Sequence, residues 1–226
     1  MCINDKELRT RVDQLCALHS LPPTVSISLI NANRGKFNPY HNNFHMLFVA
    51  ERCSDALKSD EFAHLRGTAS EQALILAALF HDFHHSGGFS SDIINVSRAI
   101  AYVSKHLKSM YNSACVEEIC RNIWTTCYSD GVFVHPPTTD SQKILRDADL
   151  MQLFRQFEVR DQMIPGLIGE LRVSGTIPKE RLWVTVEEFS AENDEFLSKQ
   201  VFYTNWGRAE YDRHCTLGVR NAQTSN

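Results

Sequence analysis

The chain has 226 residues, 43% of them hydrophobic, and a formal net charge of −4. That is enough apolar material for one large domain with a substantial core. The weak negative charge and the scatter of basic residues exclude a protein that coats nucleic acid or a charged membrane surface, because either needs a dense positive footprint. Along the chain, Glu7 to Leu18 has helical spacing, with Leu8, Val12, Leu15 and Leu18 on one face. Pro22-Pro23 ends that helix, and Val25 to Ile30 alternates apolar and polar residues in the manner of a short strand. A polar loop from Asn31 to Tyr40 precedes a helix over about Asn43 to Leu57, with Phe44, Leu47, Phe48 and Cys53 inward.

Thr68 or Ser70 caps a third helix, apolar nearly all round and therefore central, which ends at the Gly87-Gly88 loop. Ser90 or Ser91 caps the next, whose stripe is Ile93, Val96, Ile100, Val103 and Leu107. Val116, Ile119 and Ile123 mark another helix, Val132 to Thr139 reads as a Pro-containing loop, and Ile144 to Phe157 reads as a helix. Asp161 to Arg220 reads as three further helices, interrupted by Gly175 and Pro178. With no repeat, low-complexity tract or linker, the expectation is one all-α domain over residues 1–226, a helical bundle with the helices from about 161 packed on its core.

The seven cysteines, Cys2, Cys16, Cys53, Cys115, Cys120, Cys127 and Cys215, are odd in number and lack a C-x-x-C pair, so a reducing compartment is expected. Met1 to Lys6 carries no apolar signal region. The longest apolar run is far below the roughly 18 residues of a membrane span. A cytoplasmic location without a membrane partner follows as an expectation.

The chemistry concentrates in His81-Asp82, which closes the most apolar stretch, Ala73 to Phe80. An imidazole and a carboxylate are costly to bury unless something pairs with them, and a metal ion is the usual partner of such a doublet. His45, in Tyr40-His41-Asn42-Asn43-Phe44-His45, and Asp149, in Asp147-Ala148-Asp149-Leu150, complete the order His … His-Asp … Asp. In that order and context the chain resembles the HD superfamily of metal-dependent phosphohydrolases over most of its length.

The resemblance implies a divalent metal on His45, His81, Asp82 and Asp149, with Asp147 in a supporting role. Mixed imidazole and carboxylate donors suit Mn²⁺, Fe²⁺, Co²⁺, Zn²⁺ or Mg²⁺ without choosing among them, and one or two ions are compatible. Tyr40-His41-Asn42-x-x-His45 and His81-Asp82-x-x-His85-x-Gly87 are similar to segments of class I cyclic-nucleotide phosphodiesterases. By that likeness His41 protonates the leaving oxygen, His85 lies near a second metal, and Asp82 bridges two ions. The phosphodiesterase domain is much larger, and its purine-clamping glutamine is not located in this chain. Size, the segment Asp147 to Leu150 and the tail around Phe202-Tyr203-Thr204 look more like compact bacterial and phage HD proteins. The expected activity is hydrolysis of a phosphodiester in a small-molecule nucleotide, a cyclic nucleotide or cyclic oligonucleotide, without stable nucleic-acid binding; a homo-oligomer stays open. Rival readings are a nucleotidase or dNTP phosphohydrolase on the same site, and a diiron oxygenase that would also need His106 and His135. Lys143, Arg146, Arg213 and Arg220 are candidate phosphate clamps.

Overall fold

Helices make up nearly all the regular structure of the computed structural model, which describes residues 4–31, 38–178, 181 and 185–224, the last six by backbone alone. Ten α-helices are present among them: α1 (Asp5–Leu18), α2 (Thr24–Ile30), α3 (Asn43–Ala56), α4 (Ala69–Phe80), α5 (Asp92–His106), α6 (Ser113–Trp124), α7 (Asp140–Leu150), α8 (Val159–Val173), α9 (Val186–Ser198) and α10 (Asn205–Thr224). Two residue pairs, β1 (Tyr128–Ser129) and β2 (Val132–Phe133), form an antiparallel hairpin. The all-α expectation holds.

α4 is the axis of the bundle. Every residue from Ala73 to Phe80 has 0% exposure, because α3, α6 and α7 pack around it. Truncating a leucine there, such as Leu74→Ala, is the type of core deletion that costs about 2–5 kcal/mol. α5 lies on α6, and α1 lies on α2 and α3. A smaller apolar cluster of Ile164, Ile168, Ile177 and Phe189 joins α8 to α9. Among the described residues no helix is long and apolar enough to cross a membrane.

Several local expectations change. Val25 to Ile30 is helical, not a strand: Pro23 sits at the N-cap of α2, and Val25 and Leu29 bury on one face four residues apart. α4 stops at Phe80, well short of Gly87, with Thr68 as its N-cap. The backbone then turns through His84, at φ +60. α7 begins earlier than read, at a capping box of Thr139 and Gln142, and ends at Leu150. The segment read as a loop after Val132 contributes β2, because Asp130-Gly131, with φ of 53 and 83, supplies the tight hairpin turn. Leu18 and Ile93 belong to no core face; they are 65% and 42% exposed.

Candidate active site

Three core helices deliver four donor residues to one point. His45 lies in the first turn of α3, fixed by Asn42, whose side chain accepts from the backbone N–H groups of Phe44 and His45. His81 is the C-cap of α4, Asp82 follows it, and Asp149 is on the last turn of α7. His45 Nε2 is 3.2 Å from Asp82 Oδ2 and 3.2 Å from Asp149 Oδ1. His81 Nε2 is 3.2 Å from Asp82 Oδ2 and 3.3 Å from Asp149 Oδ1. The two Nε2 atoms are 3.2 Å apart. Both histidines are 1% exposed and Asp82 is 5% exposed.

Hydrogen-bond direction shows what this cluster lacks. His81 Nδ1 is 2.8 Å from the carbonyl oxygen of Ala78, which can only accept, so the ring proton is on Nδ1. His45 Nδ1 faces the side-chain oxygen of the fully buried Gln152 in the same way. Both Nε2 atoms therefore present lone pairs toward each other and toward two carboxylates. Four electron-rich atoms in a dry site need a cation between them. Separations of 3.2–3.3 Å are those of neighbouring donors around one ion with bonds of about 2.0–2.3 Å. His45, His81 and Asp82 could hold a metal ion, and Asp149 lies within the same spacing of both rings. The same need appears in the proton affinities. Burial alone would raise the Asp82 and Asp149 carboxyls and lower the two imidazoles. The facing charges and hydrogen bonds overturn this, holding both carboxyls well below their usual range and raising His45 and His81.

Beside the cluster lies a second group, His41, His85 and Glu170. His41 Nδ1 is 2.5 Å from Glu170 Oε2, and Glu170 Oε1 accepts from the backbone N–H groups of Tyr40 and His41 at 2.8 and 3.1 Å. Burial pushes His41 down, but Asp82 and the Glu170 hydrogen bond outweigh it and raise the group to about 9. Its ring stacks on His85 with centroids 4.0 Å apart and meets the His45 ring edge-on at 5.7 Å. The His41 side chain keeps 26% exposure, so a ligand can reach it. Glu170 arrives on α8, which approaches closely only because two glycines let it. A Cβ on Gly88 would sit 2.2 Å from the Glu170 carbonyl oxygen, and one on Gly166 would sit 2.5 Å from that of Pro39.

His85 is buried with both ring nitrogens engaged. Nδ1 accepts from the Gly87 N–H at 3.0 Å, and Nε2 is 3.0 Å from the Asn95 amide and 3.8 Å from Asp92. Burial and the neighbouring His41 charge lower its proton affinity. Asn38 ties this loop to the first motif by donating to the backbone oxygens of His41 and His85.

Sequence reasoning missed Gln152, Glu170 and Asn38. Glu170 is 129 residues from His41, and nothing local marks it. Asp147 points away from the four-residue cluster and accepts from Tyr203 N, Thr204 N and the Thr204 hydroxyl, at the start of α10. His106 and His135 are exposed, contacting the rings of Tyr102 and Trp124, and belong to neither donor group. Lys143 and Arg213 pair with Asp140 and Glu210; the side chain of Arg220 lies outside the described residues.

No protein-family model matches the chain. It is 33% identical over 98 residues to the dual specificity calcium/calmodulin-dependent 3',5'-cyclic nucleotide phosphodiesterase 1B of Mus musculus, covering 39% of this chain and 18% of that protein. The Homo sapiens protein of the same name is 31% identical over 110 residues, covering 44% and 20%. The match thus spans about a fifth of the length of these curated relatives. It is a distant phosphodiesterase-like relationship and supports reading the chain as a phosphodiester hydrolase.

Proposed function

We propose that the chain is a metal-dependent phosphohydrolase of the HD type that cleaves a phosphodiester in a cyclic nucleotide. The observation that carries this reading is the convergence of the His45, His81, Asp82 and Asp149 donor atoms with the metal-facing nitrogens bare. A divalent ion held there supplies polarisation of the phosphoryl oxygens and a more acidic water. The chain's own groups supply the proton. Glu170 fixes His41 through Nδ1, which leaves Nε2 of the imidazolium as the atom that donates to the leaving oxygen. The stacked His85 ring and the Glu170 carboxylate hold that orientation. An alkoxide leaving group near neutral pH requires such a donor, and this favours a sugar-phosphate ester over the terminal phosphate of a nucleoside triphosphate, whose leaving group is stable without a proton. The exposed positions of His106 and His135 disfavour a six-ligand diiron oxygenase. The partial likeness to cyclic-nucleotide phosphodiesterases supports the same substrate class.

The test is to incubate metal-loaded protein with cyclic mono-, di- and trinucleotides, dNTPs and nucleoside monophosphates and to identify products by mass spectrometry. His41→Ala should slow cleavage of the cyclic substrate by about 10²–10⁴-fold and spare bis-p-nitrophenyl phosphate, whose leaving group needs no proton. Equal slowing of both removes the acid role. Cleavage of dNTPs or monophosphates alone replaces this reading with the nucleotidase.

A further inference from the structure

We propose that the cleft between the β1–β2 hairpin and the C-terminal end of α9, floored by Arg146, binds a nucleoside monophosphate at a place separate from the metal centre. The cleft has a volume of about 570 Å³, within the range of small-ligand sites. None of His41, His45, His81, Asp82, His85 or Asp149 lines it. The inference stands on this cleft alone and holds whatever the metal centre hydrolyses.

Arg146 is the reason to look here. It is 2% exposed, and arginine at that depth is normally paired with a carboxylate. Among the described residues no carboxylate lies within ion-pair distance of it, and its Nε has no hydrogen-bond acceptor. One terminal nitrogen donates to the His135 carbonyl oxygen at 2.9 Å, and Cζ lies 3.5 Å from the centroid of Phe133. The acids nearest along α7 are committed elsewhere, Asp147 to the start of α10 and Asp149 to the two histidines. Burial lowers Arg146 to about 10, so it stays charged at neutral pH. A buried guanidinium fork with donor capacity left over is the group that recognises phosphate oxygens.

The walls supply the rest of the ligand's chemistry. Tyr128, Phe133, Phe196 and Tyr203 offer ring faces and edges for a planar base. At the mouth, Glu195 is neutralised by Lys199 at 2.6 Å and Glu192 by Arg181, so these acids do not repel the anion as free charges and can still accept from sugar hydroxyls.

The experiment is calorimetric titration of 5'-AMP, 5'-GMP, inorganic phosphate and benzoate into the full chain and three variants. The wild type should bind a nucleoside monophosphate more tightly than phosphate or benzoate. His81→Ala should keep that affinity, which separates this site from the metal centre. Arg146→Met should weaken it at least tenfold. Val201→Trp, placed on the rim at a residue 62% exposed, should do the same without disturbing the core, and it decides the matter if Arg146→Met does not fold. The proposal is overturned by no saturable nucleotide binding at millimolar concentration, by loss of binding in His81→Ala, by unchanged affinity in Val201→Trp, or by benzoate matching the nucleotides.

Discussion

Two of the buried histidine–carboxylate groups among the described residues make an instructive pair, because one is satisfied by its own partners and the other presents acceptors to acceptors. His19, just past α1, has Nδ1 2.6 Å from Glu71 Oε1 and Nε2 2.8 Å from Ser54 Oγ. The second oxygen of Glu71 accepts from the Gly67 N–H at 2.5 Å. A ring that donates from Nδ1 to Glu71 and accepts at Nε2 from Ser54 satisfies every atom, and the group joins α1, α3 and α4. In the His45, His81, Asp82 and Asp149 cluster the ring protons point outward, to Gln152 and the Ala78 carbonyl, so acceptors face acceptors. Residue types and burial are alike in the two places. The direction of the hydrogen bonds separates a structural tie from a cluster that could hold a metal ion.

The largest expected effect tests that distinction directly. His81→Ala should empty the protein of divalent metal and reduce turnover by about 10³-fold or more, the scale of the several kcal/mol a catalytic ion supplies. His19→Ala should keep its metal. Elemental analysis of the purified proteins measures both, and equal metal loss in the two variants would erase the difference. Gln152→Leu comes next. It removes the acceptor that orients His45 while leaving all four donors, and losses of such orienting partners cost about 10–100-fold in metal affinity. A competition titration with a chelator reads this; unchanged affinity would mean that Gln152 does not set the tautomer of His45.

How far the sequence announced these features depends on how local their causes are. α4 was legible because its apolar run and its Thr68 cap lie within one segment. The His45, His81, Asp82 and Asp149 set was legible only through its order along the chain. Periodicity failed at Val25 to Ile30, where six residues fit either a strand or a helix and the preceding prolines decided. Gln152 and Glu170 were illegible because each meaning arises from a partner more than 100 residues away. The Ser54–His19–Glu71 tie was equally invisible, because its members lie 35 and 52 residues from His19 and meet only when α1, α3 and α4 pack.

A smaller effect concerns pH. His41 lies above the ordinary imidazole value, so its proton is held below that value and lost as pH rises through about 9. Stability from this shift is likewise full at low pH and lost across that window. Activity that needs the proton should fall on the alkaline side. Glu170→Gln removes one charge that holds it, so the alkaline limb should move to lower pH by about one unit or more. A metal ion that neutralises Asp82 lowers His41 in both proteins and leaves the Glu170 share to be read. A pH–rate profile with an unmoved alkaline limb would detach Glu170 from proton donation.

The smallest effect belongs to the satisfied group. Ser54→Ala deletes the donor to His19 Nε2 and leaves a buried ring nitrogen without a partner, which costs about 1–3 kcal/mol. For a chain of this length each kcal/mol lowers Tm by about 2–4 °C. The variant should therefore melt several degrees below the wild type. Its metal content and turnover should stay unchanged, since Ser54 touches none of the four donors. Added Mn²⁺ should then raise the Tm of the wild type and of Ser54→Ala by the same amount, because binding to the folded state stabilises each by the same mass-action factor. His81→Ala should show no such rise. If Mn²⁺ stabilises Ser54→Ala less than the wild type, the two histidine groups are energetically coupled through α3 and α4, and the line between tie and metal centre dissolves.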